Sequence, residues 1–221
     1  NATTETAKGL HNISLWASED WSMLDGSWKN AHVLAGILNK MYIRDRITAM
    51  QIWDPVDGYY DNTGEWKSTG LMQADQPWSG FYDVWPAIWA TAHFTQFTEV
   101  GWRYIDSGCG YFDTPSGSNY TSLYNPRTHD FSTIIYTDTN EVHTKLTLNL
   151  EGMLSKPEVY IWMSNQEQQF QMIHKVQVKN NAVVLEVEPG SIYTISSTTG
   201  QQKGTFTDAI KKTSSFPFPY N

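Results

Sequence analysis

The sequence predicts an α/β segment followed by an antiparallel β-sandwich. Three observations carry this. Residues 1–100 alternate short apolar runs with stretches of helical spacing; beyond about residue 101 the period drops to two; and eight of the ten Trp (16, 21, 28, 53, 66, 78, 85 and 89) fall in the first hundred residues. A strand–helix–strand–helix rhythm is that of a parallel α/β unit. Short strands with regular turn signals are those of a sandwich.

In chain order, Ile13 to Ala17 is a brief apolar run that ends in the acidic pair Glu19-Asp20. Residues Asn30 to Tyr42 place Val33, Leu34, Ile37, Leu38 and Met41 three and four apart, which predicts a helix. Ile47 to Trp53 reads as a second strand closed by Asp54-Pro55; a polar loop spans Asp61 to Thr69, and a second helix is predicted from about Asp83 to Phe97. A sheet of two such strands cannot be buried on both faces, so this half reads as part of something larger.

The second half carries five strand-like segments: Phe131 to Thr137, Thr144 to Leu150, Glu158 to Met163, Ala182 to Glu188 and Ile192 to Ser196. In the second of these, Leu146, Leu148 and Leu150 alternate with Lys145, Thr147 and Asn149, the pattern of a strand with one wet face. Pro115-Ser-Gly, Asn125-Pro126, Asn180-Asn181 and Pro189-Gly190 punctuate the strands. The predicted division is 1–100, 101–215 and a linker at 216–221.

Composition narrows the function. The 221 residues carry a formal net charge of −8, −6 of it in residues 1–100, and the only dibasic step is Lys211-Lys212. A nucleic-acid footprint needs clustered Lys and Arg, so that class is set aside. Nothing approaches the roughly 18 apolar residues of a membrane span. The single cysteine, Cys109, excludes an internal disulfide and a CxxC metal site, and the six His show no HExxH spacing. A metal enzyme is not expected. The chain opens at Asn1 without Met or a signal-like layout, which suggests processing or truncation. Sequons at Asn1, Asn12 and Asn119 point to a secretory route and to glycosylation there.

Active sites of α/β barrels collect at the C-terminal ends of the strands, and Glu19, flanked by Trp16 and Trp21, sits where such a strand would end. A retaining glycosidase needs two carboxyl groups about 5 Å apart, with aromatic faces nearby to stack on sugar rings. The same Glu-Asp pair also serves as a helix N-terminal charge. Trp53, at the end of the next strand, would stand beside Glu19 or simply pack the rim. Trp66 lies in a polar loop. His93, within an apolar helical stretch, reads as a structural histidine, and Cys109 as a thiol without function.

The string Leu15-Trp-Ala-Ser-Glu-Asp-Trp-Ser22 resembles the nucleophile strand of glycoside hydrolase family 59. So do Ile37-Leu-Asn39, Tyr42-Ile43, Gly70-Leu-Met-Gln-Ala-Asp-Gln-Pro-Trp-Ser-Gly80, Ile88-Trp89, Ala92-His93, Thr95-Gln-Phe-Thr98 and Gly101-Trp102. The match is dense from Leu15 to Trp102 and thins to islands such as Thr133-Ile-Ile135. The resemblance implies the last two βα units of a (β/α)8 TIM barrel followed by a β-sandwich. It further implies a retaining exo-β-galactosidase acting on β-galactosyl lipids such as galactosylceramide. Glu19 then matches the nucleophile, Trp53 a wall of the galactose pocket, Trp66 a pocket Tyr, and Ser22 a minor substrate contact. The implied partners are an N-terminal barrel segment of the same precursor and a saposin-like activator; the implied location is lysosomal or extracellular.

Departures from that family pattern also matter. Its acid/base Glu, and its galactose-binding Thr, Asn and a further Trp, lie upstream of this chain; another pocket Trp belongs to a following lectin-like domain. Its sandwich-loop Arg is missing, since Thr137 to Leu146 holds no Arg. The loop Cys is also gone, and Ser27 stands at its barrel partner's position. Two rivals follow: a β-galactan hydrolase of the same family, and a non-catalytic carbohydrate-binding or structural surface protein.

Overall fold

The computed structural model describes residues 6, 9, 13–20, 24–58, 70–74 and 80–200, the side chains of Asp20 and Met153 excepted. Strand β1 (Leu15–Asp20), helix α1 (Trp28–Asp45) and strand β2 (Ile47–Ile52) form one strand–helix–strand unit, with β1 and β2 paired in parallel. Ser27 caps α1: its Oγ accepts from Asn30 N at 3.3 Å, while Asp25 Oδ1 accepts from Ser27 N at 3.0 Å. The helix ends where Arg46 turns left-handed (φ 54°) and its N–H meets the carbonyls of Met41 and Tyr42.

Three strands that the sequence pattern did not predict follow. β3 (Val56–Gly58) pairs in parallel with β4 (Met72–Ala74), which pairs antiparallel with β5 (Tyr82–Val84). At three residues each they are too short to carry a period. Gly70 is required at their junction: a Cβ there would lie 2.6 Å from Met72 O and 2.7 Å from Asp57 N. Helix α2 (Pro86–Thr95) is shorter than predicted, because Asp83 belongs to β5 and Pro86 opens the helix.

The remaining chain builds a seven-stranded antiparallel sheet from β6 (Arg103–Tyr104), β7 (Gly110–Tyr111), β8 (Asn119–Tyr124), β9 (Phe131–Tyr136), β11 (Glu158–Ser164), β12 (Gln171–Gln177) and β14 (Ile192–Ser196). Their order is β12-β11-β14-β9-β8-β6, with β7 also on β8. A second sheet of two strands, β10 (Thr144–Asn149) and β13 (Ala182–Val187), covers one face. All five predicted strands appear, with no end moved by more than one residue. The pattern does not predict β6, β7, β8 or β12: β6 and β7 are two residues long, β8 is mostly Tyr, Thr, Ser and Asn, and β12 is an edge strand, mostly exposed and without an apolar alternation.

The middle strands of the large sheet, β8, β9, β11 and β14, are buried on both faces, and side-chain alternation divides them cleanly. Phe131 and Ile135 of β9, Val159, Ile161 and Met163 of β11, and Tyr193 and Ile195 of β14 pack against Val183, Leu185 and Val187 of β13. On the opposite face, Ile134, Tyr136 and Ile192 pack against Trp28, Ala31, Leu34 and Ala35 of α1 and Ala87 and Ala90 of α2. Helix α1 therefore lies between the parallel pair and the large sheet.

That helix–sheet layer is held by polar groups too. Asn39 is fully buried; its Nδ2 donates to Ile134 O at 3.2 Å and its Oδ1 accepts from Thr121 Oγ1 at 2.5 Å. His32 Nε2 donates to Thr137 O at 2.9 Å while its ring stacks on Tyr136 at 4.4 Å. The buried stripe of α1 thus includes His32 and Asn39, whereas Val33, predicted on the apolar face, is exposed. Polar groups are tolerated there because each finds a partner.

Candidate active site

The site is set by the register of β1 on β2. Ala17 pairs with Met50 and Asp20 with Ile52, so three steps along β1 match two along β2. Between those pairs Ser18 and Glu19 both stand opposite Gln51, a β-bulge. Ile52 packs against the helix–sheet core, which fixes the outward face of β2. Successive side chains alternate, so Gln51 lies on the inner face, away from α1, and the bulge turns Glu19 to that same face. Trp16, paired with Ala49, lies there as well. Without the extra residue Glu19 would point the other way.

Trp53 follows β2 directly and continues the inner-face set of Ala49 and Gln51. Trp53 is 57 % exposed and Trp16 67 %, and Glu19 is exposed too. Trp16, Glu19, Gln51 and Trp53 are thus all exposed on this parallel pair. Among the described residues, β1 pairs only with β2 in that sheet, so both outer edges are open. The next residue, Asp54, has Oδ1 buried with no hydrogen-bond partner, and its carboxyl is pushed up, first by burial and then by the charge of Asp57.

Other titratable groups are structural. His93 is fully buried, and burial pushes it down to about 3. Its Nδ1 lies 2.8 Å from Thr194 Oγ1 and its Nε2 2.7 Å from Ser164 Oγ. Cys109 is half-buried, its Sγ accepting from Ser122 N at 3.3 Å, and burial raises the thiol to about 11. Glu141 is buried between sandwich loops, its Oε2 accepting from Thr114 Oγ1 at 2.8 Å and Ser116 Oγ at 2.6 Å. Hydroxyl and backbone donors hold its carboxyl at about 2 against the opposing effect of desolvation. Among the described residues no group of three or more His, Cys, Asp and Glu is placed to hold a metal ion. A cavity of about 800 Å³ lies between the two sheets, lined by Phe131, Ile135, Leu146, Leu148 and Val183; neither Glu19 nor Trp53 borders it.

Of the predicted site residues, Glu19 and Trp53 are brought to one end of the parallel pair. Ser22 and Trp66 lie outside the described residues, as do the sequon residues Asn1 and Asn12. Asn119 requires a correction. It is fully buried in β8 and its Nδ2 already donates to Gly117 O at 3.0 Å, so the packing leaves no room for a glycan. Gln51 was overlooked, because only the bulge places it opposite Glu19, and a bulge leaves no mark in a hydrophobic pattern.

The fold is shared with glycosidases built on a TIM barrel. A GH30 endoxylanase from Clostridium papyrosolvens C71 superposes with a TM-score of 0.65 at 13 % identity, covering 86 % of this chain and 43 % of that one. GH30 xylanase C from Talaromyces cellulolyticus gives 0.66 at 14 % identity, covering 85 % and 41 %. In sequence, residues 1–96 match the model of glycosyl hydrolase family 59. The chain is 33 % identical to the galactocerebrosidase of Mus musculus, covering 94 % of this chain and 32 % of that protein. It is 30 % identical to that of Danio rerio, covering 96 % and 34 %. It spans about a third of the length of these relatives.

Proposed function

We propose that the chain is the C-terminal barrel part and β-sandwich of a retaining exo-β-galactosidase of the galactocerebrosidase kind, acting on β-galactosyl lipids such as galactosylceramide. In this reading residues 1–100 supply the last two βα units of the barrel and 101–215 the sandwich. The observation that carries it is the bulge that sets Glu19 on the face of Trp16 and Trp53, at the end of a parallel pair with open edges.

In the first step a Glu19 carboxylate oxygen attacks the anomeric carbon and the glycosidic C–O bond breaks. A carboxylic acid on another barrel segment gives its proton to the leaving oxygen. In the second step that group, now a carboxylate, takes a proton from water; the hydroxide attacks the anomeric carbon and Glu19 leaves. Trp53 walls the sugar, its indole face against the C–H groups of the ring. Trp66 and Ser22 complete this chain's contacts. The reaction requires no metal and no organic cofactor.

One carboxyl group cannot serve both roles, so an N-terminal segment of the same precursor is required to close the barrel. A saposin-like activator would present the lipid, and the location is lysosomal or extracellular. One observation favours a non-catalytic carbohydrate-binding rival: residues 137–146 hold no Arg to reach the sugar.

The test is to assay an aryl β-galactoside at acidic pH with the complete protein and its Glu19→Gln variant. Turnover that falls on the order of a thousand-fold in the variant supports the enzyme. A wild type without turnover supports the rival.

A further inference from the structure

We infer that Gln51 is a positioning residue whose side-chain amide donates a hydrogen bond to the Glu19 carboxylate once the barrel is closed. The inference rests on the barrel reading above and goes beyond it, because neither that reading nor any of the similarities gives Gln51 a role.

Ser18 and Glu19 stand opposite Gln51 across the bulge, and all the geometry of that pairing is internal to this chain. Neighbouring strands lie about 4.8 Å apart, so two side chains at one level on one face are within reach of each other. Gln51 is exposed, as is Glu19, because the strands that would flank β1 and β2 are not supplied by the described residues. Closing the barrel removes water from this face. A carboxylate withdrawn from water needs a donor, and an amide withdrawn from water needs an acceptor. On the paired strand the neighbouring inner-face residue, Ala49, has no polar atom, which leaves Gln51 as the donor across from Glu19, beside the Ser18 hydroxyl of β1 itself. Gln51 offers two N–H donors at the level of the nucleophile, and its carbonyl oxygen remains free for a hydroxyl of the sugar. A donor fixed on the carboxylate would hold one oxygen aimed at the anomeric carbon, so its loss falls on the chemical step rather than on binding.

The experiment compares the complete protein with Gln51→Met, which keeps length and volume but removes the donor, and Gln51→Asn, which keeps the amide. With an aryl β-galactoside, Gln51→Met is expected to lower kcat about tenfold with KM within about twofold, and Gln51→Asn to recover part of the loss. Labelling of Glu19 by a 2-fluoro galactoside should slow in step with kcat. A change in KM alone, or an unchanged kcat, overturns the inference. A measurement without turnover separates this inference from the functional reading: the ¹³C carboxyl resonance of Glu19, assigned by its absence in Glu19→Gln. A resonance displaced in Gln51→Met sustains the hydrogen bond even if the wild type hydrolyses no β-galactoside, in which case only the functional reading falls. An undisplaced resonance overturns the hydrogen bond whatever the turnover.

Discussion

His93 and Thr194 are bonded to each other twice. His93 Nδ1 lies 2.8 Å from Thr194 Oγ1, and that hydroxyl donates to the carbonyl of His93 at 3.1 Å. The hydroxyl proton is thus committed to the backbone, so Nδ1 carries the ring proton and Nε2 accepts from Ser164 Oγ at 2.7 Å. Ser164 Oγ in turn accepts from Phe170 N at 2.7 Å. This circuit joins α2 to β11 and β14, and it requires a neutral imidazole.

The pH dependence follows from that neutrality. Burial depresses His93 from 6.5 to about 3, so the unfolded chain binds a proton that the folded chain refuses. The resulting stability is complete above pH 6.5 and is lost as pH falls towards 3. At pH 4.5 the loss from this one group is roughly 2–3 kcal/mol. Denaturant unfolding between pH 7 and 4.5 should show it, and His93→Gln should flatten that part of the profile.

Asn39→Leu removes a side chain that satisfies both Ile134 O and Thr121 Oγ1 in the helix–sheet layer. Two buried polar groups lose their partner. A cost of about 2–4 kcal/mol is expected in urea unfolding; the companion change Thr121→Val should cost less on top of it than alone, since the pair is already broken.

Gly36 faces the ring of Tyr136, where a Cβ would stand 3.0 Å from Cε2 and 3.1 Å from Cζ. That ring is backed by His32 and cannot retreat freely. Gly36→Ala should therefore destabilise by about 1–3 kcal/mol, despite the better helix propensity of alanine. Thermal unfolding checks the sign.

Glu141 ties the loop of Thr114 and Ser116 to the loop after β9. Its carboxyl is depressed to about 2, so its contribution is present above pH 4.5 and disappears as pH falls towards 2. Glu141→Gln should lower Tm by a few degrees, about 4 °C, at pH 6. The gap between variant and wild type should narrow at pH 2.5.

The legible parts of this fold were those with a period. Leu146, Leu148 and Leu150 announced β10, and the helical spacing from Val33 to Met41 announced α1. The face of α1 was misjudged, because His32 and Asn39 are buried by partners on the sheet that no local pattern reveals. β3, β4 and β5 are too short to register, and β12 is an edge. At the candidate site, Glu19 and Trp53 could be picked out by their place at strand ends. The bulge that orients Glu19, and Gln51 opposite it, follow only from the register.

The central claim is that Glu19 faces into a barrel completed by another segment and is its nucleophile. The most direct measurement is mass spectrometry of the complete protein after incubation with a 2-fluoro β-galactoside bearing a good leaving group. The account predicts one added fluorogalactosyl group, located by peptide fragmentation on Glu19 and absent from Glu19→Gln. An adduct on a different carboxylate, or none in a preparation that still hydrolyses an aryl β-galactoside, would contradict it.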